Sequence, residues 1–81
     1  MIIKWTETHE AEFNDDRIKE IFEEGKNYLF GGIEGLIAEN LINVIYEVDR
    51  YNIYEKIPNW DEIVTQIYEE GRKKYDGKEN H

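Results

Sequence analysis

The side chains able to do chemistry are few, and their spacing decides what they can do. His9 and His81 are the only histidines, cysteine and serine are absent, and Thr6, Thr8 and Thr65 are the only hydroxyl nucleophiles besides tyrosine. A Ser-His-Asp or Cys-His constellation therefore cannot be assembled, which excludes covalent hydrolysis by those routes. Neither histidine stands at a His-x-x-x-His or Cys-x-x-Cys spacing, so the sequence offers no metal site and implies no cofactor. His9 falls beside Ala11 on a partly apolar stretch, where a hydrogen-bonded structural role is expected. Paired carboxylates such as Glu10 and Glu12 have the chemistry for acid–base work or for holding a cation, but acids on exposed edges are ordinarily solvated, and so short a chain has little room for a desolvated pocket. Phe30-Gly31-Gly32-Ile33-Glu34-Gly35 is glycine-rich yet lacks the Lys-Ser/Thr of a phosphate-binding loop, and reads as a helix–helix turn with positive φ at the paired glycines. The expectation is a protein that binds and is not an enzyme.

The elements that must carry these residues follow from hydrophobic periodicity. Ile3, Trp5, Glu7, His9, Ala11 and Phe13 alternate with Lys4, Thr6, Thr8, Glu10 and Glu12, which predicts a strand. Without Asn-Gly or Asp-Gly turn chemistry near Glu7–Glu10, one long strand is favoured over a hairpin. A lone strand leaves backbone groups unpaired, so its partner is expected in a hairpin within 2–13, in a short strand at 51–57, or in a second subunit. Asn14, Asp15 and Asp16 supply an N-cap and acidic first turn for a helix over about 16–29, with Ile18, Ile21, Phe22, Gly25, Tyr28 and Leu29 on its apolar face. After the paired glycines, Ile33, Ile37, Leu41, Val44, Val48 and Tyr51 predict a second helix over about 33–53. That helix carries a second apolar strip, Ile42, Tyr46 and Ile53, expected to be covered by another element or another molecule. Pro58, then Asn59 with Glu62 in a capping-box-like spacing, opens a third helix over about 60–75 bearing Trp60, Ile63, Val64, Ile67, Tyr68, Gly71 and Tyr75. Gly71 marks either close packing or the onset of fraying.

The fold class expected is α+β and mostly helical: an N-terminal strand or hairpin followed by three helices, in a single domain over residues 1–75 with a disordered tail at 76–81. Eighty-one residues suffice for one core only. No 18-residue apolar stretch and no signal-peptide apolar region occur, so the expected location is cytoplasmic.

Charge is the most unusual property. Nineteen acids face ten bases, for a formal net charge of −9. The excess is uneven: residues 1–16 carry −4, 17–30 carry 0, 31–56 carry −3, 57–70 carry −4 and the remainder +2. Such a field repels nucleic acid and anionic membranes and attracts basic protein surfaces. Candidate contact residues are Glu10, Glu12, Asp15 and Asp16 at the strand-to-helix corner and Asp61, Glu62, Glu69 and Glu70 on the third helix, with Tyr46, Tyr54, Tyr68 and Trp60 as anchors where exposed. Asp15, Asp16, Asp61 and Glu62 also suit helix N-termini for dipole reasons alone.

Short length, absence of cysteine, a composition biased toward Ile, Asn, Lys, Glu and Tyr, and this net charge resemble the small acidic inhibitors made by phages and mobile elements, including anti-CRISPR and other DNA-mimic proteins. The resemblance covers the character of the whole chain and assigns no individual residue. It implies an inhibitor that occupies the basic nucleic-acid-binding surface of a target protein, with no direct nucleic-acid or membrane contact. The order strand, helix, helix is also similar to the ribbon-helix-helix regulators, in which two chains pair their strands. That reading places Lys4, Thr6 and Thr8 on an outward ribbon face and implies a homodimeric antitoxin-like protein or regulatory adaptor, although one lysine among Glu7, Glu10 and Glu12 is a poor reader of a DNA groove. A structural or assembly protein using Ile42, Tyr46 and Ile53 as its interface is the third expectation.

Overall fold

The structure is a computed structural model and describes residues 1–76. Two short strands, β1 (Ile2–Lys4) and β2 (Glu10–Glu12), form an antiparallel hairpin, followed by α1 (Asp15–Glu24), α2 (Gly32–Val48) and α3 (Trp60–Gly71). Short 3₁₀ turns at Gly25–Asn27 and Tyr54–Lys56 lie in the two helix connections, and a π-helical turn, Arg72–Asp76, continues α3. The α+β, mostly helical class expected from the pattern is the one observed. The disordered tail expected at 76–81 falls outside the described residues except for Asp76, which closes the π turn.

The preference for one long strand is corrected. Ile3 pairs with Ala11 and Lys4 with Glu10, so the strand's partner lies twelve residues or fewer along the same chain. Five residues separate the paired segments, an odd number, so odd-numbered positions of both strands share one face and the alternation runs unbroken through the turn. Periodicity alone cannot separate the two arrangements. The turn is built without Asn-Gly: the Thr6 hydroxyl oxygen accepts the Thr8 and His9 backbone N–H groups at 3.3 and 2.9 Å, and Trp5 N–H donates to the His9 carbonyl at 3.2 Å. A side-chain oxygen thus does the work usually left to asparagine or aspartate. Pairing within the chain also removes the need for a second subunit's strand, on which the ribbon-helix-helix expectation rested.

α1 begins as its sequence implies, with the Asn14 side chain accepting the Arg17 N–H at 2.8 Å and Asp15 and Asp16 in the first turn. It ends at Glu24 and not at Leu29. The chain tightens at Gly25, where any Cβ would stand 2.8 Å from the Ile33 backbone, and this close approach turns Leu29 outward to 90% exposure. Gly31 and Gly32 take φ of 96° and 63°, the left-handed region expected of them, and start α2.

α2 stops at Val48, five residues short of the expected end, leaving Tyr51 96% exposed and outside any helix. Asp49 is the cause. Its backbone leaves helical geometry while its carboxylate accepts Trp5 Nε1–H at 3.4 Å and Asn52 Nδ2–H at 3.2 Å. A negative side chain is unfavourable at a helix C-terminus, and these two donors favour its departure from the helix. At the next helix start, the capping box expected of Asn59 does not form; its side-chain amide donates instead to the Lys4 carbonyl at 3.0 Å, fastening the hairpin to α3.

The core takes Ile3, Trp5 and Phe13 from the hairpin region, Ile18, Ile21 and Phe22 from α1, Ile37, Leu41, Val44 and Ile45 from α2, and Ile57, Ile63 and Ile67 from the α3 side. A close contact joins α1 to α3. A Cβ on Gly71 would lie 2.1 Å from Cε1 of Phe22, whose ring is buried and flanked by Tyr68 and Tyr75 at centroid distances of 5.8 and 6.5 Å. Close packing, and not fraying, explains this glycine.

Helix propensity alone predicts that Gly71→Ala stabilises by up to ~1 kcal/mol. The blocked space predicts the opposite sign, a loss of about 1–3 kcal/mol from overpacking, read as a lower thermal midpoint; an unchanged or raised midpoint would reject the Phe22 contact.

Candidate functional site

No charged or polar residue of the described chain is fully buried, and most of the described acids are exposed, with Asp49 the least so at 14%. The fold redistributes the eight acids that the sequence grouped by segment. Asp15 opens α1 next to the residues that follow α3: Lys74 Nζ lies 2.9 Å from its Oδ1, and the Tyr75 hydroxyl donates to its Oδ2. Lys74 also reaches Glu70 at 3.2 Å, the N-terminal ammonium pairs with Glu12 at 2.9 Å, and Arg72 stands 3.9 Å from Glu69. Glu12, Asp15, Glu69 and Glu70 are therefore matched by cations of the chain itself. They cluster at one pole, where the chain start, the α1 start and the α3 end meet.

Glu10, Asp16, Asp61 and Glu62 are exposed and make no ion pair among the described residues. Asp61 and Glu62 stand at the other end of α3 from Glu69 and Glu70, and Glu10 lies two residues before Glu12 on β2. Glu10 pairs in register with Lys4, the Lys4 carbonyl accepts from Asn59, and Asp61 and Glu62 follow in the first turn of α3. Asp16 stays apart at the α1 start, so the strand-to-helix corner and the α3 face are not two sites of four carboxylates each.

The predicted apolar strip becomes a groove by a route the sequence reading did not contain. Ile42, Tyr46 and Ile53 do lie together, but Ile53 reaches the other two because the chain turns back after Val48, not because one helix carries all three. Together with Ile45, Arg50, Asn52 and Tyr54 they line an open groove of about 230 Å³. Tyr54 packs at a tilt against Trp60, the first residue of α3, with ring centroids 5.2 Å apart, so the groove lies near the start of that helix. The signal that could have found Asn52 and Tyr54 is Asp49, an acid where a helix C-terminus disfavours one.

His9 has the structural role expected. Its ring stacks on Trp5 at 6.1 Å, its Nδ1 lies 2.9 Å from the Thr6 hydroxyl, and Asp49 Oδ2 is 3.6 Å away. In the glycine-rich turn, Gly32 N–H donates to the Tyr28 carbonyl and Gly35 N–H to the Gly31 carbonyl, which leaves these two donors unavailable to a phosphate. Among the described residues no group of three or more His, Asp or Glu side chains is arranged to hold a metal ion. No described helix is long and apolar enough to cross a membrane.

Asp15, Lys74 and Tyr75 shift one another's titration. The Tyr75 hydroxyl, and then the Lys74 ammonium, hold the Asp15 carboxyl below the ordinary carboxylate range, while Asp15 raises Lys74 and Tyr75 above their ordinary values, with Glu70 assisting on Lys74. A depressed carboxyl stabilises above its unfolded value of about 3.9, and that contribution is lost as pH falls through the lower folded value. A raised lysine or tyrosine stabilises fully below its unfolded value of about 10 and loses the contribution as pH rises through the higher folded value. Asp15→Asn should therefore flatten both limbs of a plot of thermal midpoint against pH, below about pH 4 and above about pH 10. Superimposable acid limbs for the two proteins would show that the contact contributes nothing.

No family model, curated protein or solved structure is matched by this chain.

Proposed function

We infer that the chain is a non-catalytic cytoplasmic inhibitor that binds a protein and occupies its basic, nucleic-acid-binding surface in the manner of a nucleic-acid mimic. The observation that carries this reading is the asymmetry of charge matching. Lys74, Arg72 and the N-terminal ammonium pair with Asp15, Glu70, Glu69 and Glu12, while Glu10, Asp61 and Glu62 are exposed and make no ion pair among the described residues. An unmatched exposed carboxylate can meet a lysine or arginine of a partner without first giving up a contact of its own. Duplex DNA offers such groups one charge per ~1.7 Å of axis, and carboxylates on a rigid fold can address the same cations. The N-terminus of α3 and the hairpin end, joined through Asn59 and Lys4, hold the three carboxylates on regular elements and not on a loose tail.

A second reading, that of an assembly protein, is favoured by the groove at Ile42, Tyr46 and Ile53, because an apolar concavity lined by tyrosine has the composition of an interface core.

The two readings differ in salt dependence. Mimicry predicts capture of a nucleic-acid-binding protein from cells, release by moderate salt and displacement by duplex DNA. Replacing Glu10, Asp61 and Glu62 together with lysine should abolish that capture and leave the circular dichroism spectrum unaltered. Capture that survives the triple charge reversal, or that salt does not weaken, rejects these three acids as the contact.

A further inference from the structure

Independently of the inhibitor reading, we propose that the groove at the end of α2 is a binding site for a small amphipathic carboxylate, an aromatic or aliphatic acid whose body fills the groove and whose head group pairs with Arg50. Ile42, Ile45, Ile53, Tyr46 and Tyr54 give the groove a largely apolar lining, in which Ile45 is buried while Tyr46 and Ile53 stay exposed. An apolar and aromatic concavity with one or two polar groups is the usual form of a small-ligand site. The volume of about 230 Å³ holds roughly eight waters at ~30 Å³ each, which limits the ligand to about ten non-hydrogen atoms. That is one ring with a short chain, or a chain of about eight carbons, below the ~300–1,000 Å³ of sites for drug-sized ligands.

Charge selects the head group. Arg50 is the one charged residue in the lining, and its guanidinium makes no ion pair and no hydrogen bond among the described residues. The acid that precedes it in sequence is committed elsewhere: the Asp49 carboxylate accepts Trp5 Nε1–H and Asn52 Nδ2–H and lies 3.6 Å from His9 Nδ1. The reversal that ends α2 therefore delivers a guanidinium to the groove and withholds the neighbouring carboxylate. A guanidinium offers a planar fork of donors that matches a carboxylate, and a pair formed against an apolar wall is less screened than one in open water. An exposed ion pair by itself contributes little. Apolar burial accordingly supplies the affinity and Arg50 the choice of head group, since an amine would meet like charge and an alcohol would leave the guanidinium without a counterion. The chain's acids oppose an anion at long range, but at physiological salt their field is screened over ~8 Å.

The test follows amide chemical shifts of the intact, isotope-labelled protein at physiological salt with phenylpropionate, the alcohol and the amine of the same skeleton, and acetate. Phenylpropionate should shift Ile42, Tyr46 and Ile53 and saturate at about 10 mM or below, about tenfold or more tighter than the alcohol or the amine, while acetate leaves these amides unmoved. Arg50→Met keeps an apolar stem and should reduce phenylpropionate to the affinity of the alcohol. Arg50→Lys keeps the charge without the fork and should retain part of the preference. Equal binding of acid and alcohol, or a preference that survives Arg50→Met, overturns Arg50 as the selecting group. Shifts at the same amides with acetate show an adventitious ion only, and a failure of phenylpropionate to saturate shows that the groove takes no such ligand; either result overturns the site. A glycyl-glycyl-phenylalanine peptide that binds about tenfold tighter than phenylpropionate, and loses that advantage on C-terminal amidation, assigns the groove to a protein C-terminus and overturns the small ligand. Lysine at Glu10, Asp61 and Glu62 together should not weaken phenylpropionate, so this site and the inhibitor reading fail separately; weakening in that variant overturns the assignment to Arg50.

Discussion

The Asp49 carboxylate is the interaction on which the shape of the molecule turns. By accepting Trp5 Nε1–H and Asn52 Nδ2–H it ends α2, binds the hairpin to the far end of that helix and sends residues 50–54 back across it. Without that reversal Ile53 would continue along a helix and no groove would exist. The same carboxylate lies 3.6 Å from His9 Nδ1, and His9 in turn packs on Trp5, so the turn of the hairpin and the terminus of α2 share one polar centre. The physical cause is ordinary: a negative charge at the negative end of a helix dipole gains by leaving the helix for external donors.

The opposite pole is organised by steric fit. Gly71 lets α3 approach the Phe22 ring more closely than any Cβ would allow, and the π turn that follows brings Lys74 and Tyr75 to Asp15. Lys74 is thereby paired with Asp15 at the α1 start as well as with Glu70 on α3. A strongly acidic chain incurs self-repulsion in its compact state, and local matching at one pole relieves part of it. Other acids are exposed elsewhere on the molecule, Glu10, Asp61 and Glu62 among them.

How much of this was legible in the sequence depends on whether a signal was local. The Asn14 cap, the positive φ of Gly31 and Gly32, the three amphipathic stretches and the odd-numbered face of residues 3–13 all follow from nearest neighbours, and the structure has them as read. Where long-range contacts decide, the reading failed. Trp5 reaches Asp49 across 44 positions and Asn59 reaches Lys4 across 55, and these two contacts removed the last turn of α2 and the expected capping box. Leu29 was assigned to a helix face because Gly25 looked like one more small residue in a helical pattern; its contact with the Ile33 backbone is visible only in three dimensions. The hairpin illustrates a different limit, since a five-residue connection preserves parity and a threonine hydroxyl replaces the expected turn residue.

The same distinction applies to the site. Sequence placed the eight acids in two blocks of four, by proximity along the chain, and the apolar residues on a helix face of their own. Folding sorts the acids by counterion instead, and Trp60, one residue ahead of Asp61 and in ring contact with Tyr54, joins the unmatched set to the groove. Charge alone gives long-range steering and little specificity, because exposed ion pairs each contribute only ~0–1 kcal/mol. An apolar concavity alone would attract any exposed hydrophobic segment. On the proposed reading of a basic partner, carboxylates near an apolar concavity would ask that partner for cations and apolar side chains together, which is how a small surface could discriminate among the many basic proteins that net charge alone would attract.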